Sequence, residues 1–188
     1  MKKEELIAIS AMNIFAEVGF HVTKVQQIAN SAGVAVGTIY NYFKSKEEIL
    51  NYIFEKEYMK RIAFLRNCKE DNLNTVEIIQ NYLAFNFDII KENPCIAKVL
   101  AQESDYPGGN IGNRAIELKS LTNDMMMQLI SDGQNKGEIR KIDVNILAQI
   151  IRMSINGIIF TEPFDGSEET YAKLKNGIIE FIGRAIKS

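Results

Sequence analysis

The sequence predicts an all-α fold of about nine helices, with short helices near the N terminus and longer ones after them. Apolar residues recur every three or four positions along most of the 188 residues, which is the pattern of amphipathic helices. No segment alternates apolar and polar residues between turn signals, so no half-buried strand is expected. Only three prolines interrupt the chain, which favours long, unbroken helices.

Three short helices are predicted before residue 45, and turn residues separate them. Gly19 ends the first helix, because a residue with a positive φ angle commonly follows a helix. The second helix begins at Thr23, since Gln26 follows three residues later, as in a capping box. The predicted helices span residues 3–18, 23–31 and 35–43.

Six longer helices are predicted after residue 45. The motif SKEE at residues 45–48 is a second capping box and opens the fourth helix. Pro94 suits the first turn of the sixth helix, and Gly137 caps the end of the seventh. The change from short to long helices predicts two domains, residues 1–45 and 46–188. The spans of the longer helices are 45–67, 75–92, from 94 to a loop at 105–112, 113–135, 143–162 and 168–186.

The composition argues against several classes of protein. The chain carries 22 basic and 24 acidic residues, for a formal net charge of −2, so any contact with a polyanion must be local. No apolar run reaches the ~18 residues needed to cross a membrane, and no signal peptide is evident, so we expect a cytoplasmic protein. One histidine and two cysteines fit no metal, cofactor or disulfide framework. The sequence shows neither a nucleophile paired with a base nor a pair of carboxylates, so it does not indicate an enzyme.

Residues 23–43 have the spacing of two helices that cross at a tight turn. Ala29 is small enough to let the helices approach, Gly33 permits a positive φ angle in the turn, and Ile39 points back between them. This spacing fits a helix-turn-helix, whose second helix enters the major groove of DNA. It also fits a plain helical hairpin within a larger bundle.

The exposed residues of this segment favour DNA binding. No aspartate or glutamate occurs between Phe20 and Lys46, while Lys24, Lys44 and Lys46 give a local charge of +3, and such a cation excess suits phosphate groups. Tyrosine and threonine hydroxyls reach phosphate oxygens, asparagine reads an adenine edge, and methyl groups contact thymine. A glycine lets backbone N–H groups approach a phosphate. The candidate contacts are Lys24, Val36, Gly37, Thr38, Tyr40, Asn41, Tyr42 and Lys46.

The stretch GVAVGTIYNYFKSKEEIL, preceded by FHVTKVQQIANSA, resembles the DNA-binding region of the tetracycline-repressor (TetR) family of bacterial transcription regulators. The resemblance covers residues 5–54 and implies a homodimer that binds double-stranded DNA and a small-molecule effector. The chain departs from the family at Ala35, where many members carry Ser or Thr, and the missing hydroxyl removes about 1 kcal/mol of capping. The operator contacts that the resemblance implies are Thr23, Thr38, Tyr40, Tyr42 and Lys46.

The last two helices are apolar around most of their circumference, so each needs two partners. One partner is the core of its own subunit, and the other is the same helix pair of a second subunit across a two-fold axis. A thicker monomeric core is the alternative. A dimer places two reading helices on the half-sites of a palindromic operator. The predicted interface residues are Leu147, Ile151, Ile155, Ile158, Leu174, Ile178, Phe181 and Ile182.

An effector site among the central helices is the second consequence of the family resemblance. Three consecutive methionines, Met125–Met127, place at least one flexible side chain toward the interior, although core filling is the alternative for any one of them. Apolar pockets carry a few polar groups that orient the ligand, so we expect a hydrophobic or amphipathic effector. The predicted lining residues are Tyr82, Phe85, Met126, Ile130, Arg152, Met153, Asn156 and Phe160.

Together these features predict a sequence-specific transcriptional regulator, a repressor that its effector releases from DNA. The alternative is an effector-independent structural or nucleoid-associated protein. Its DNA affinity would depend steeply on salt concentration but not on DNA sequence.

Overall fold

The computed structural model describes residues 1–68, 73–104, 112–158 and 168–188, and within these ranges it contains nine α-helices and no strand. The prediction of an all-α fold is confirmed. The helices are α1 Lys3–Val18, α2 Val25–Ala32, α3 Val36–Tyr40, α4 Lys46–Asn67, α5 Thr75–Glu92, α6 Pro94–Ser104, α7 Asn113–Asn135, α8 Val144–Gly157 and α9 Glu168–Ile186.

The second helix begins two residues later than predicted. Thr23 does not cap it, because the Thr23 hydroxyl donates to the carbonyl oxygen of Gly19 at 2.7 Å, toward the preceding helix. Lys24 is the residue before the helix, and its backbone N–H donates to the side-chain oxygen of Gln27 at 2.7 Å. Half of a capping box is therefore present, displaced by one residue from the predicted Thr23–Gln26 pair.

The third helix ends at Tyr40 rather than Phe43. The N–H groups of Tyr42 and Phe43 both donate to the carbonyl oxygen of Ile39 at 2.9 Å, so hydrogen-bonded turns follow the helix. The SKEE capping box is confirmed in part, because the N–H of Glu48 donates to the Ser45 hydroxyl at 3.3 Å. The predicted loops at 105–112 and 162–167, and the end of the eighth helix at 159–162, lie outside the described residues except for Gly112.

The first compact unit comprises Met1–Lys60 and Asn93–Lys119. Its core brings together side chains of α1 to α4 with residues of α6 and α7, so the predicted domain boundary at residue 45 falls inside this unit. Helix length changes at residue 45, but the apolar face at the start of α4 packs in the same core as the short helices. Buried members of this core are Ile7, Phe15, Phe20, Ile28, Ile39, Phe43, Leu50, Phe54, Ile96, Val99 and Ala115.

The second compact unit comprises Arg61–Glu92 and Ser120–Ser188. In this unit α9 lies against α5, where the Tyr171 hydroxyl donates to the carbonyl oxygen of Phe87 and Lys175 pairs with Asp88 at 2.5 Å. Burial raises the pKa of Tyr171 to about 12, which keeps its hydroxyl protonated as a donor. Its fully buried side chains include Ile79, Leu83, Phe87 and Ile130.

Candidate nucleic-acid interface

The helix-turn-helix is formed by α2, the turn at Gly33 and α3. Gly33 has a φ angle of 64° and a ψ angle of 33°, the left-handed conformation that glycine adopts at little cost. The N–H of Val34 donates to the carbonyl oxygen of Ala29 at 3.0 Å and closes the turn. Ala29 and Ile39 are buried where the two helices meet. The predicted roles of the small residue, the turn glycine and the buried aliphatic residue are all confirmed.

The outer side of α3 exposes polar and aromatic side chains. Tyr40 is 53% exposed and Tyr42 is 44% exposed, and Asn41 is exposed between them. Val36 and Thr38 are partly buried at the edge of the same surface. Ala35 precedes the helix without a side-chain cap, as the sequence predicted. We call the surface formed by Val36, Gly37, Thr38, Tyr40, Asn41 and Tyr42 the reading face.

Two exposed lysines lie on either side of the reading-face residues in the sequence. Lys24 and Lys44 are exposed, and no acidic residue lies between Phe20 and Lys46 in the sequence. Exposed ammonium groups beside tyrosine hydroxyls suit the phosphates of a duplex. An acid-free surface of this kind repels no phosphate, although the chain as a whole is slightly negative.

Two of the predicted DNA contacts, Thr23 and Lys46, have hydrogen-bond partners within the protomer. Thr23 is buried, and its hydroxyl proton is used by the carbonyl oxygen of Gly19. Lys46 is partly buried, and its Nζ donates to the carbonyl oxygens of Phe20 and His21 at 2.8 Å and of Thr23 at 3.1 Å. An ammonium group has three protons to donate. In the DNA-free protein these two side chains therefore hold the turn between α1 and α2.

The predicted effector residues divide into two groups. Tyr82, Met126 and Ile130 are buried in the second unit, and Phe85 stacks on Phe64 with ring centroids 4.6 Å apart. Burial raises the pKa of Tyr82, and the positive charge of Arg61 partly opposes this shift. The side chains of this first group are therefore buried or half-buried within the second unit.

The candidates on α8 are placed differently. Arg152 and Met153 are exposed, because α8 turns Ile151 and Ile155 inward and each residue advances about 100° around the helix. Arg152 and Met153 therefore do not line the interior of the protomer. Asn156 is half-buried, and Phe160 lies outside the described residues.

The predicted dimer-interface residues also divide into buried and exposed ones. Three of the residues on α8, Ile158 directly after that helix, and Ile182 on α9 are buried in the core of their own protomer. The exposed apolar residues of α8 were missed as interface residues, although they recur at helical spacing, four and three positions apart, whereas the exposed Phe181 of α9 was among the predicted residues. Leu174 and Ile178 are half-buried, and Phe181 is 74% exposed. The buried residues are Leu147, Ile151, Ile155, Ile158 and Ile182, and the exposed ones are Ile146, Ile150, Met153 and Phe181.

The described ranges contain neither a candidate metal cluster nor a candidate membrane span. Within residues 1–68, 73–104, 112–158 and 168–188, no group of three or more His, Cys, Asp or Glu side chains is placed to hold a metal ion. In the same part of the chain, no helix combines the length and the apolar character needed to span a membrane.

A helix-turn-helix with an exposed, acid-free reading face defines a DNA-binding regulator, and the comparisons with known proteins agree. The family described as bacterial regulatory proteins, tetR family, matches residues 9–53. The fatty acid metabolism regulator protein of Bacillus subtilis (strain 168) is 25% identical over 92% of this chain and 90% of that protein. The transcriptional repressor KstR2 of Mycobacterium tuberculosis (strain ATCC 25618 / H37Rv) is 24% identical over 80% of this chain and 76% of its own.

A solved relative extends the similarity to the whole fold. The crystal structure of FadR from Bacillus subtilis in complex with stearoyl-CoA has a TM-score of 0.81 and 25% identity, and the match covers 95% of this chain and 96% of that chain. The family match to residues 9–53 and these relatives together support a TetR-family transcription regulator. A regulator of this family controls transcription through DNA binding, as the sequence predicted for this chain.

Proposed function

We propose that the protein is a cytoplasmic, homodimeric repressor that binds a palindromic operator and leaves it when a fatty acyl-CoA binds. The observation that carries the DNA-binding part is the exposure of Tyr40, Asn41 and Tyr42 on an acid-free helix-turn-helix. Phosphate contacts position such a helix, and base contacts give it sequence preference. Lys24 and Lys44 contribute cations at its edge. In this proposal the protein has no catalytic role.

The dimer is supported by the apolar residues that α8 and α9 leave exposed. Ile146, Ile150 and Met153 form one stripe along α8, and Phe181 projects from α9. Large exposed apolar groups at helical spacing mark interaction surfaces. A Cβ atom built at Gly177 meets no atom of the described residues within 4 Å, which leaves room for a second subunit to approach α9. We call these four side chains together with Gly177 the dimer face.

The effector class is supported by the relatives and by the interior of the second unit. One relative is a fatty acid metabolism regulator, and a structural neighbour holds stearoyl-CoA. Phe64, Tyr82 and Phe85 form a cluster of aromatic rings that suits an acyl chain. Among the described residues, the buried side-chain oxygen of Asn86 has no hydrogen-bond partner, and a buried unpaired acceptor favours a ligand that brings a donor. The amide and hydroxyl groups of the CoA arm are such donors.

The DNA-binding part is tested by selecting DNA fragments with the purified protein and sequencing them. A palindrome with two half-sites about 34 Å apart, one helical turn of DNA, is expected for a symmetric dimer. Binding that is steep in salt but recovers no common sequence would favour the structural role of a nucleoid-associated protein instead.

The effector part is tested by adding saturated acyl-CoA thioesters of increasing chain length to the protein–operator complex. Each buried methylene contributes about 0.8 kcal/mol, so release should require less ligand as the chain lengthens. CoA without an acyl chain, and the free fatty acid, are the controls. Operator binding that is insensitive to every acyl-CoA, together with no thermal stabilisation, would reject this effector class and leave the DNA-binding part standing.

A further inference from the structure

The side chain of Lys46, the first residue of α4, is directed at the turn between α1 and α2. Its Nζ donates to the carbonyl oxygens of Phe20 at 2.8 Å, of His21 at 2.8 Å and of Thr23 at 3.1 Å. The same atom lies 4.7 Å from the centroid of the Phe20 ring, at a distance where a cation is attracted to the ring face. Three acceptors use the three protons of the ammonium group. A phosphate oxygen would therefore have to displace a carbonyl oxygen.

The turn needs a cation at this position for a local reason. The last turn of α1 contains no basic residue, although the C-terminal end of a helix carries a partial negative charge and exposes unpaired carbonyl groups. The turn that follows adds further carbonyl groups; the Thr23 hydroxyl donates to that of Gly19, and the Thr23 N–H donates to that of Phe20 at 3.3 Å. Lys46 supplies the missing positive charge from 25 or more positions further along the chain.

The geometry points to Lys46 as a positioning residue of the DNA-binding unit, and not as a phosphate ligand. By holding the carbonyl groups of residues 20, 21 and 23, Lys46 fixes the turn that ends in Lys24, the residue that precedes α2. The exposed ammonium group of Lys24 is then the cation that faces the duplex. This inference rests on the proposed DNA contacts of the reading face, but the clamp itself is a property of the DNA-free protein.

The clamp is tested first without DNA. We expect the ammonium protons of Lys46 to be protected from solvent exchange in ¹⁵N nuclear magnetic resonance spectra of the wild-type protein, while those of Lys24 exchange fast. In Lys46→Met, which keeps most of the side-chain length but has no donor, amide exchange should accelerate at Thr23 and its neighbours and stay unchanged in α5. Lys46→Arg, which restores charge and donors, should recover part of the protection.

The role in DNA binding is tested with the operator recovered by fragment selection. Lys46→Met should weaken operator binding about tenfold at every salt concentration, a loss of ~1.4 kcal/mol, and keep the wild-type dependence on salt. Lys24→Met, the matched control, should lower the slope of log Kd against log salt by about 0.9, the value for one phosphate contact. The Lys46 ammonium resonance should keep its position when operator is added.

Several results would overturn the inference. They are fast exchange of the Lys46 ammonium protons in the free protein, a shift of that resonance on operator binding, or a salt slope lowered by about 0.9 in Lys46→Met with unchanged exchange at Thr23. The ammonium measurement uses the wild-type chain, so it remains decisive if Lys46→Met does not fold. If wild-type protein selects no DNA sequence, the proposed contacts fail while the free-protein measurement still tests the clamp.

Discussion

Gly37 is a residue whose identity the protomer itself does not explain. It lies at the second position of α3 and is exposed, and a Cβ atom built on it meets nothing within 4 Å. Its φ angle is not positive, unlike those of Gly19, Gly33 and Gly137. Glycine inside a helix is about 1 kcal/mol less favourable than alanine. A partner that approaches the backbone closely would explain the glycine, and DNA at the reading face is that partner in our proposal.

The first prediction is that Gly37→Ala separates stability from binding. The free energy of unfolding should rise by up to ~1 kcal/mol, as measured by chemical denaturation, because alanine favours the helix and no contact is lost. Operator affinity should fall on specific and random DNA alike, as measured by fluorescence anisotropy, because the new methyl group holds the backbone away from a phosphate. Unchanged affinity in a stabilised variant would show that DNA does not approach Gly37.

A second prediction separates positioning from reading on the same face. Asn41→Ala and Thr38→Ala should reduce the preference for operator over random DNA, because each removes a group that can contact a base edge. Tyr42→Phe should weaken binding to both kinds of DNA by a similar factor, since its hydroxyl is proposed to contact phosphate. The measurement is the ratio of the two Kd values for each variant. Equal losses on both DNAs for Asn41→Ala would remove Asn41 from the reading residues.

The carboxylate of Glu138 gives a third prediction, for the dependence of stability on pH. The Thr75 hydroxyl donates to it at 2.6 Å and the Thr75 N–H at 2.8 Å, and these hydrogen bonds lower the pKa of Glu138 below its usual value. Because the folded pKa is the lower one, the stabilisation is present above the usual glutamate pKa, about 4.3, and is lost as the pH falls through the folded pKa.

Removing the Thr75 hydroxyl should reduce this loss of stability at low pH. In Thr75→Val the pKa of Glu138 should rise toward its usual value, so the free energy of unfolding should fall less between pH 5 and pH 3 than in the wild type, a window set by the usual pKa of about 4.3. Urea denaturation at both pH values measures the difference, and Thr75→Ser, which keeps the hydroxyl, is the control. A larger fall in Thr75→Val than in Thr75→Ser would contradict the assignment.

At the scale of the element, local signals predicted where most helices begin and end. Gly19, Pro94 and Gly137 mark ends that the structure reproduces, because the conformational preferences of glycine and proline act within a few residues. The start of α2 was missed because the Thr23 hydroxyl can either accept from an N–H of the following helix, as a cap does, or donate to a carbonyl oxygen of the preceding segment, as it does here. On α8 the inward and outward faces carry the same residue types, so sequence could not tell that Ile151 is buried and Ile150 exposed.

Close packing between α5 and α7 gives a fourth prediction, in which helix propensity and contact oppose each other. Gly133 is buried in α7, and a Cβ atom built on it would lie 2.6 to 2.7 Å from the side-chain atoms of Thr75. Thr75 cannot move away easily, because both its hydroxyl and its N–H are bonded to Glu138. Gly133→Ala should therefore destabilise the protein by about 1–3 kcal/mol, the range for overpacking.

The control for this prediction is Asn135→Ala, two residues further along α7. Asn135 is exposed, so alanine there changes propensity without adding a buried contact. Thermal and urea denaturation of both variants give the comparison. A stabilised Gly133→Ala variant would mean that α5 and α7 are less closely packed than these distances require.

At the scale of the whole molecule, the two compact units carry different surfaces. The first unit contains the reading face, and the second contains the dimer face. One helix-turn-helix reads one half-site, so an operator with two half-sites requires two copies of this chain. Joining two binding modules raises their apparent affinity by about 10² to 10⁴ without any new contact. The residues that hold two subunits together should therefore control DNA affinity although they do not face the DNA.

The fifth prediction tests this link with two matched isoleucines. Ile150 is 45% exposed on the dimer face of α8, and Ile116 is 47% exposed on α7 in the first unit. Ile150→Lys should dissociate the dimer, as measured by analytical ultracentrifugation, because it places a charge in an apolar interface. Operator affinity should fall by roughly 10² or more, while helical content stays at the wild-type level since the side chain is exposed in the protomer. Ile116→Lys adds the same charge at similar exposure, so it should leave both the dimer and operator affinity intact. A dimeric Ile150→Lys, or a monomeric Ile116→Lys, would place the subunit interface elsewhere than on α8.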